Sequence, residues 1–151
     1  RKEYKDVFGF PVIDYYKKLG ESYYQELLDM LVFDAVILNE DRHFGNFGFL
    51  IDNKSNKIVG CAPIFDNGLS LLCYAMDDDF KNINQYIQTR LPATYQDFIA
   101  FVKPRITKRQ KEKLRKLIGF KFESHYKYRL PRKRLKYLEE IIQKRVLELL
   151  E

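Results

Sequence analysis

At 151 residues, 46% apolar and 32% charged, the chain has the size and composition of one soluble globular domain with a real core, which excludes an unstructured polyelectrolyte. No apolar run approaches the roughly 18 residues that a membrane span needs, and residues 1–20 hold no apolar core followed by a cleavage site, so neither a span nor a signal peptide is expected. The net charge of +6 is unevenly spread, with 15 Lys or Arg against 2 acids between Phe101 and Lys136; such an excess suits an acidic or polyanionic partner or, more often, a solvated helix face.

Residues 1–20 carry Tyr4, Phe8, Phe10, Tyr15 and Tyr16 around a turn signal at Gly9 and Pro11. They read either as a short helix packed on the domain or as a frayed start. Ser22 with Gln25 makes a capping box. Tyr24, Leu27, Leu28, Leu31, Ala35 and Leu38 then follow at helical spacing, predicting a helix to about Leu38 with one apolar stripe. After Asn46 the period changes to two: Phe47, Phe49 and Ile51 alternate with Gly48 and Leu50. A DNKSN turn follows, and 57–62 forms the second strand of a hairpin.

The remainder is helical in outline. Asp77, Asp78 and Asp79 precede an amphipathic stretch ending near Thr89, and Pro92 breaks it. Thr94 with Asp97 opens a short helix that Pro104 stops. Thr107 with Gln110 caps a lysine-rich helix to about Ile118, where Gly119 suits the C-terminal cap. Pro131 suits a first helical position, and Leu135, Leu138, Ile141, Ile142, Val146 and Leu149 stripe the last helix. Leu114, Leu117, Leu135 and Leu138 should pack inward, with the lysines and arginines around them in solvent. The fold class is mainly α with a small β-hairpin, over residues 1–151 as a single domain.

The chemistry is concentrated between Asn39 and Ser70. Asp41 and Asn46 stand five residues apart at the end of the first long helix, and Asp66 follows the hairpin, within Phe65-Asp66-Asn67-Gly68. An antiparallel hairpin brings its two open ends together, so Asp66 should return towards Asn46. Phosphoryl transfer asks for these groups: a carboxylate facing the acceptor hydroxyl, and oxygen ligands for magnesium. Asp41 is the candidate base, and Asn46 and Asp66 are the candidate metal and ATP-binding ligands. Arg42 and His43 join Asp41 in the candidate catalytic set. Arg42 offsets carboxylate charge, contacts a phosphate or sits on the surface, and His43 chiefly orients the loop, with a direct catalytic part as the lesser option. Gly45 and Gly48 suit positive φ or a close ligand approach. Taken singly, each of these residues is also an ordinary turn residue. Cys61 and Cys73 fit reduced thiols of a cytoplasmic protein, and with only His43 and His125 beside them no zinc-ligand spacing appears.

The run Asp41-Arg42-His43-Phe44-Gly45-Asn46, with Ala62-Pro63-Ile64-Phe65-Asp66-Asn67-Gly68-Leu69-Ser70, resembles the HipA-like kinase family. The Asp-Arg-His-x-x-Asn loop is also similar to that of phosphoinositide kinases. The resemblance implies a bacterial Ser/Thr protein kinase C-lobe that uses ATP and Mg2+, often linked to toxin–antitoxin systems. It implies a protein substrate and an antitoxin partner, with Asp41 as catalytic base and Asn46 and Asp66 as magnesium ligands. Asn67 stands where the usual protein-kinase motif has phenylalanine. The seven glycines form neither a GxGxxG nor a GxxxxGK pattern, and too little chain precedes Ser22 for a small lobe. The expectation is therefore a C-lobe separated from its N-lobe and inactive alone. Two rival readings are a phosphoinositide or small-alcohol kinase lobe, and a basic helical module binding nucleic acid or a partner, with Phe120, Tyr126 and Tyr128 stacking on bases. Under the main reading any nucleic-acid contact is weak or indirect.

Overall fold

The computed structural model describes residues 11–151; the turn expected at Gly9, with Tyr4, Phe8 and Phe10, lies outside the described residues. Everything else is arranged on α2, Glu21–Ile37, which a shorter helix, α1 (Ile13–Leu19), precedes. Only Gly20 separates the two, at φ +136, a conformation that side-chain-bearing residues avoid. Its N–H reaches the carbonyls of Tyr16 and Lys17 at 3.3 and 3.2 Å. The expected Ser22–Gln25 capping box does not form. Gly20 is the N-cap residue, and Gln25 donates instead to the Glu21 carboxylate at 2.6 Å, because the backbone turn at Gly20 already sets the start of the helix.

The predicted single stripe on α2 is too narrow. From Leu27 to Ile37 every residue except Asp29 and Phe33 is buried, the pattern of a helix enclosed on nearly all sides. It packs against α1, the hairpin, and three later helices: α4 (Phe98–Val102), α5 (Lys108–Arg115) and α6 (Arg132–Leu150). Between them, a 3-10 turn at Asp79–Asn82 leads into α3 (Ile83–Gln88), close to the expected stretch. The hairpin pairs β1 (Phe49–Ile51) with β2 (Ile58–Cys61) antiparallel, Phe49 opposite Cys61, with an irregularity after Leu50. A two-stranded ribbon is marginal by itself. Here Phe49 anchors it on α1 and α2, its ring centroid 4.7 Å from that of Tyr16 and 6.2 Å from that of Tyr23.

Several caps are as the residue types predict. Asp97 accepts the Ala100 N–H at 2.7 Å to start α4, and the Thr107–Gln110 capping box opens α5. Three expectations need correction. Thr94 caps nothing and is buried beneath the loop described below. The helix predicted to Ile118 ends as α-helix at Arg115, and residues 116–119 wind on in single turns to Gly119 at φ +79. Pro131 caps α6 from outside, since its ψ of 136° is not helical. Leu114 and Leu138 are buried; Leu117 and Leu135 are only half-buried. The described residues form a mainly helical fold with one two-stranded antiparallel sheet.

Three leucines stand in the left-handed region, Leu38 at φ 54, Leu71 at φ 50 and Leu72 at φ 53. Such a conformation costs a non-glycine residue about 1–2 kcal/mol. Burying a leucine side chain contributes about 1.5–3 kcal/mol, and Leu38 and Leu72 are almost wholly buried, so packing wins. The strain allows two sharp reversals, bonded to each other by Leu71 N–H to Ile37 O at 2.7 Å and Glu40 N–H to Leu69 O at 3.0 Å. These bonds set the segment after Asp66 beside the segment before Asp41.

Candidate active site

The site grows from one buried acid. Asp34 lies in the last turns of α2 within an otherwise apolar run, and it is 0% exposed. A lone carboxylate there would be very costly, so a cation must meet it. Arg42, also 0% exposed, does so in a fork: Nε donates to Asp34 Oδ2 and Nη2 to Oδ1, both at 2.9 Å. Asn39 adds a bond from Nδ2 to Asp34 Oδ1 at 3.0 Å. Burial pushes the Asp34 carboxyl up from its ordinary value, against the opposing pull of Arg42 and Asn39.

The rest of the guanidinium faces the site. Nη1 donates to Asn46 O at 2.8 Å and to Phe65 O at 2.6 Å, and Nη2 donates to Asn67 Oδ1 at 2.5 Å. One nitrogen thus holds the backbone of the Asn46 loop and of the Asp66 turn together. Thr94 Oγ1 closes the back of the loop by donating to Arg42 O at 3.1 Å. Arg42 was expected in the catalytic set, with a surface position as one option. It is on no surface, and every donor group faces protein acceptors, so it ties loop and turn together and has no donor left over for a ligand.

The oxygens expected to do chemistry are left open. Asn46 donates its Nδ2 to Asp41 O at 2.9 Å, which leaves Oδ1 as the end available to a ligand. Asp66 is exposed at φ +52, a backbone state that Asp tolerates better than most residues, and its carboxylate makes no hydrogen bond or ion pair among the described residues. The Asp41 carboxylate is half-exposed, approached by His43 Nε2 at 4.0 Å, beyond hydrogen-bond range. His43 uses its other ring nitrogen within the loop, Nδ1 accepting the Gly45 N–H at 3.0 Å. Neither Gly45 nor Gly48 has positive φ, contrary to one expectation. Gly45 lies close under the His43 ring, and a Cβ there would lie 2.9 Å from Cε1, so any larger residue must displace the ring from its present place.

Because Asp34 and Arg42 neutralise each other below, Asp41 and Asp66 present uncompensated negative charge above them. Glu40 beside them is balanced by Arg90 at 3.3 Å, and burial raises its carboxyl's proton affinity against that pull. No cluster of three or more His, Cys, Asp or Glu among the described residues forms a closed metal cage. An amide oxygen with one carboxylate is nonetheless a donor set that suits magnesium, whose other positions are taken by water and phosphate oxygens.

A groove of about 700 Å³ is lined by Ser70, Leu71, Phe80, Pro131, Arg134 and Tyr137 among others, not by Asp41, Asn46 or Asp66. It begins where the Asp66 turn ends. Motif reading missed Asp34 and Thr94 as parts of the site, and it gave Asn39 and Asn67 a place in the segment without their bonds to Asp34 and Arg42. Only Asp34 carried a signal, as a single acid in an apolar helical run. No helix among the described residues is long and apolar enough to cross a membrane. Comparison with protein-family models, curated proteins and solved structures produced no match to this chain.

Proposed function

We propose that this chain is the helical lobe of an ATP- and Mg2+-dependent phosphotransferase of the HipA-like Ser/Thr protein kinase kind, acting in the cytoplasm on a protein hydroxyl. The observation that carries this reading is the Arg42 bracket, in which one buried guanidinium joins the Asn46 loop to the Asp66 turn. The side-chain oxygens of Asp41, Asn46 and Asp66 accept no hydrogen bond from another of the described residues.

Mg2+–ATP supplies, when bound, the phosphoryl group and the positive charge that offsets its oxygens. Asn46 Oδ1 and the Asp66 carboxylate are the groups that would hold the metal. Asp41 accepts the proton of the acceptor hydroxyl, and the bond from Asn46 Nδ2 to Asp41 O keeps base and ligand in fixed relation. Asn67 replaces an apolar switch residue with a fixed bond to Arg42, so the Asp66 turn is held in place and does not flip. A phosphate-covering loop and a strand lysine fall to a small lobe, on the same polypeptide or a separate one. A toxin role with an antitoxin partner is the biological setting that the motif resemblance suggests.

The test is transfer of labelled γ-phosphate by the full-length protein carrying this chain. Asp41→Asn should leave the fold intact and lower transfer by a factor on the order of 10² or more, the scale of losing a positioned base. Asp66→Ala should raise the magnesium requirement as well. Unchanged rates in Asp41→Asn would refute the assignment. Label appearing on a phosphoinositide or a small alcohol, with the same sensitivity to both substitutions, would keep the chemistry and change the acceptor.

A further inference from the structure

We propose that the loop spanning residues 121–131, with the first turn of α6, is a binding site for single-stranded nucleic acid. This rests on no part of the phosphotransfer reading. The basic segment is not uniformly available. Arg109 and Lys113 both pair with Asp29, at 2.8 and 2.6 Å, and Lys121 pairs with Glu139 at 2.8 Å. Lys127, Arg129, Arg132 and Lys133 form no ion pair among the described residues. Lys108, Lys111, Arg115 and Lys116, on and after α5, also lack an ion pair there, but of these cations only those in and beside this loop stand among exposed aromatic rings.

The same loop carries an aromatic platform. Tyr126 and Tyr128 are 82% and 72% exposed, among the most exposed large side chains of the described residues. The His125 ring stacks with both, centroids 4.7 and 5.4 Å apart at interplanar angles of 29° and 23°. Its Nδ1 accepts the backbone N–H groups of Lys127 at 3.1 Å and Tyr128 at 2.9 Å, which locks the imidazole and orders the tyrosines beside it. Lys127 Nζ lies 5.3 Å from the Tyr128 ring centre. Phe120 does not join the platform; it meets Phe122 edge-on and packs against the core.

Flat ring faces left in water among free cations match one polyanion better than others. A single strand offers phosphates to the cations and unpaired base faces to the rings. Acidic peptides would engage the charges and leave the rings idle, and a duplex hides its base faces.

The experiment is fluorescence anisotropy of the whole chain with labelled oligo(dT) and oligo(U), beside a duplex of equal charge and polyglutamate. Affinity should fall about fiftyfold between 50 and 200 mM salt, the slope for about four phosphate contacts on a single strand. Tyr126→Ala and Tyr128→Ala, at exposed positions, should each weaken binding about tenfold with an unchanged melting temperature, the scale of one lost stacking partner. Arg129→Gln should reduce the salt slope by about 0.7. Absence of binding at 50 mM salt, equal binding of duplex or polyglutamate, or indifference to both tyrosine substitutions would each overturn the proposal.

Discussion

Replacing Arg42 by methionine tests the central claim about how this site is held. Methionine keeps most of the stem's volume, so the change removes charge and donors without opening a large cavity. Asp34 is then left buried, with only the bond from Asn39 Nδ2. Asn46 O, Phe65 O and Asn67 Oδ1 lose the donor groups that now reach them. Breaking one partner of a buried pair costs about 3–5 kcal/mol, a large share of the roughly 5–15 kcal/mol that stabilises a domain. At about 2–4 °C per kcal/mol for a chain of this size, the melting temperature should fall by roughly 10–15 °C. Circular dichroism melts measure this directly.

The pH dependence gives a second readout. Burial already raises the Asp34 carboxyl above its ordinary value while Arg42 opposes the rise, and losing Arg42 removes that opposition. A raised carboxyl holds its proton longer in the folded state, so its stability contribution is complete below the unfolded value and is lost as pH rises through the folded value. The Arg42→Met protein should therefore recover stability on acidification from pH 7 towards pH 5 more than the wild type does. Asp34→Leu combined with Arg42→Met should be less damaged than Arg42→Met alone, since no buried charge is stranded. An Arg42→Met protein melting within about 2 °C of wild type at pH 7 would refute the argument.

Thr94→Val removes the hydroxyl that donates to Arg42 O and should cost about 1–2 kcal/mol in denaturant titrations, with Thr94→Ser near wild type. Gly45→Ala brings a Cβ against the His43 ring. Because that ring is half-exposed and can swing aside, stability should change by under about 1 kcal/mol. Transfer measured in the full-length protein should fall instead, by up to about 10²-fold, the scale of a 1 Å misplacement. Cys61, its thiol pushed up to about 11 by burial and by the nearby Glu26, should alkylate slowly at pH 8, while the exposed Cys73 reacts first, as mass spectrometry would record.

The elements legible in advance are those set by local pattern. The hairpin follows from two-residue alternation closed by turn residues, where Asp52 Oδ1 accepts the Ser55 N–H at 2.6 Å. The Thr107–Gln110 box follows from a capping motif needing four residues of context. What escaped depends on contacts distant in sequence. Nothing near Ser22 announces that Gly20 takes over as cap, because α1 supplies the competing bonds. Arg42 looks like a charged loop residue until Phe65 and Asn67 arrive from beyond the hairpin, and Thr94 looks like a helix start until it is found beneath Arg42. Within the candidate site, the exposed oxygens were legible as a motif, whereas the buried residues that orient them were not.

The sharing of one guanidinium nitrogen by the Asn46 and Phe65 carbonyls also bears on how this region opens. Withdrawal of either segment leaves the other's carbonyl beside a donor that has lost part of its shell, and Asp34 beside a displaced cation. The backbone bonds from Glu40 to Leu69 and from Leu71 to Ile37 tie the same two segments a few residues away. Loop and turn therefore form a single cooperative unit, anchored to the last turns of α2 and not to the hairpin tip. The outer hairpin can fray while the two segments stay joined. Loss of the end of α2 removes both at once, so the loop and turn are either assembled together or absent together.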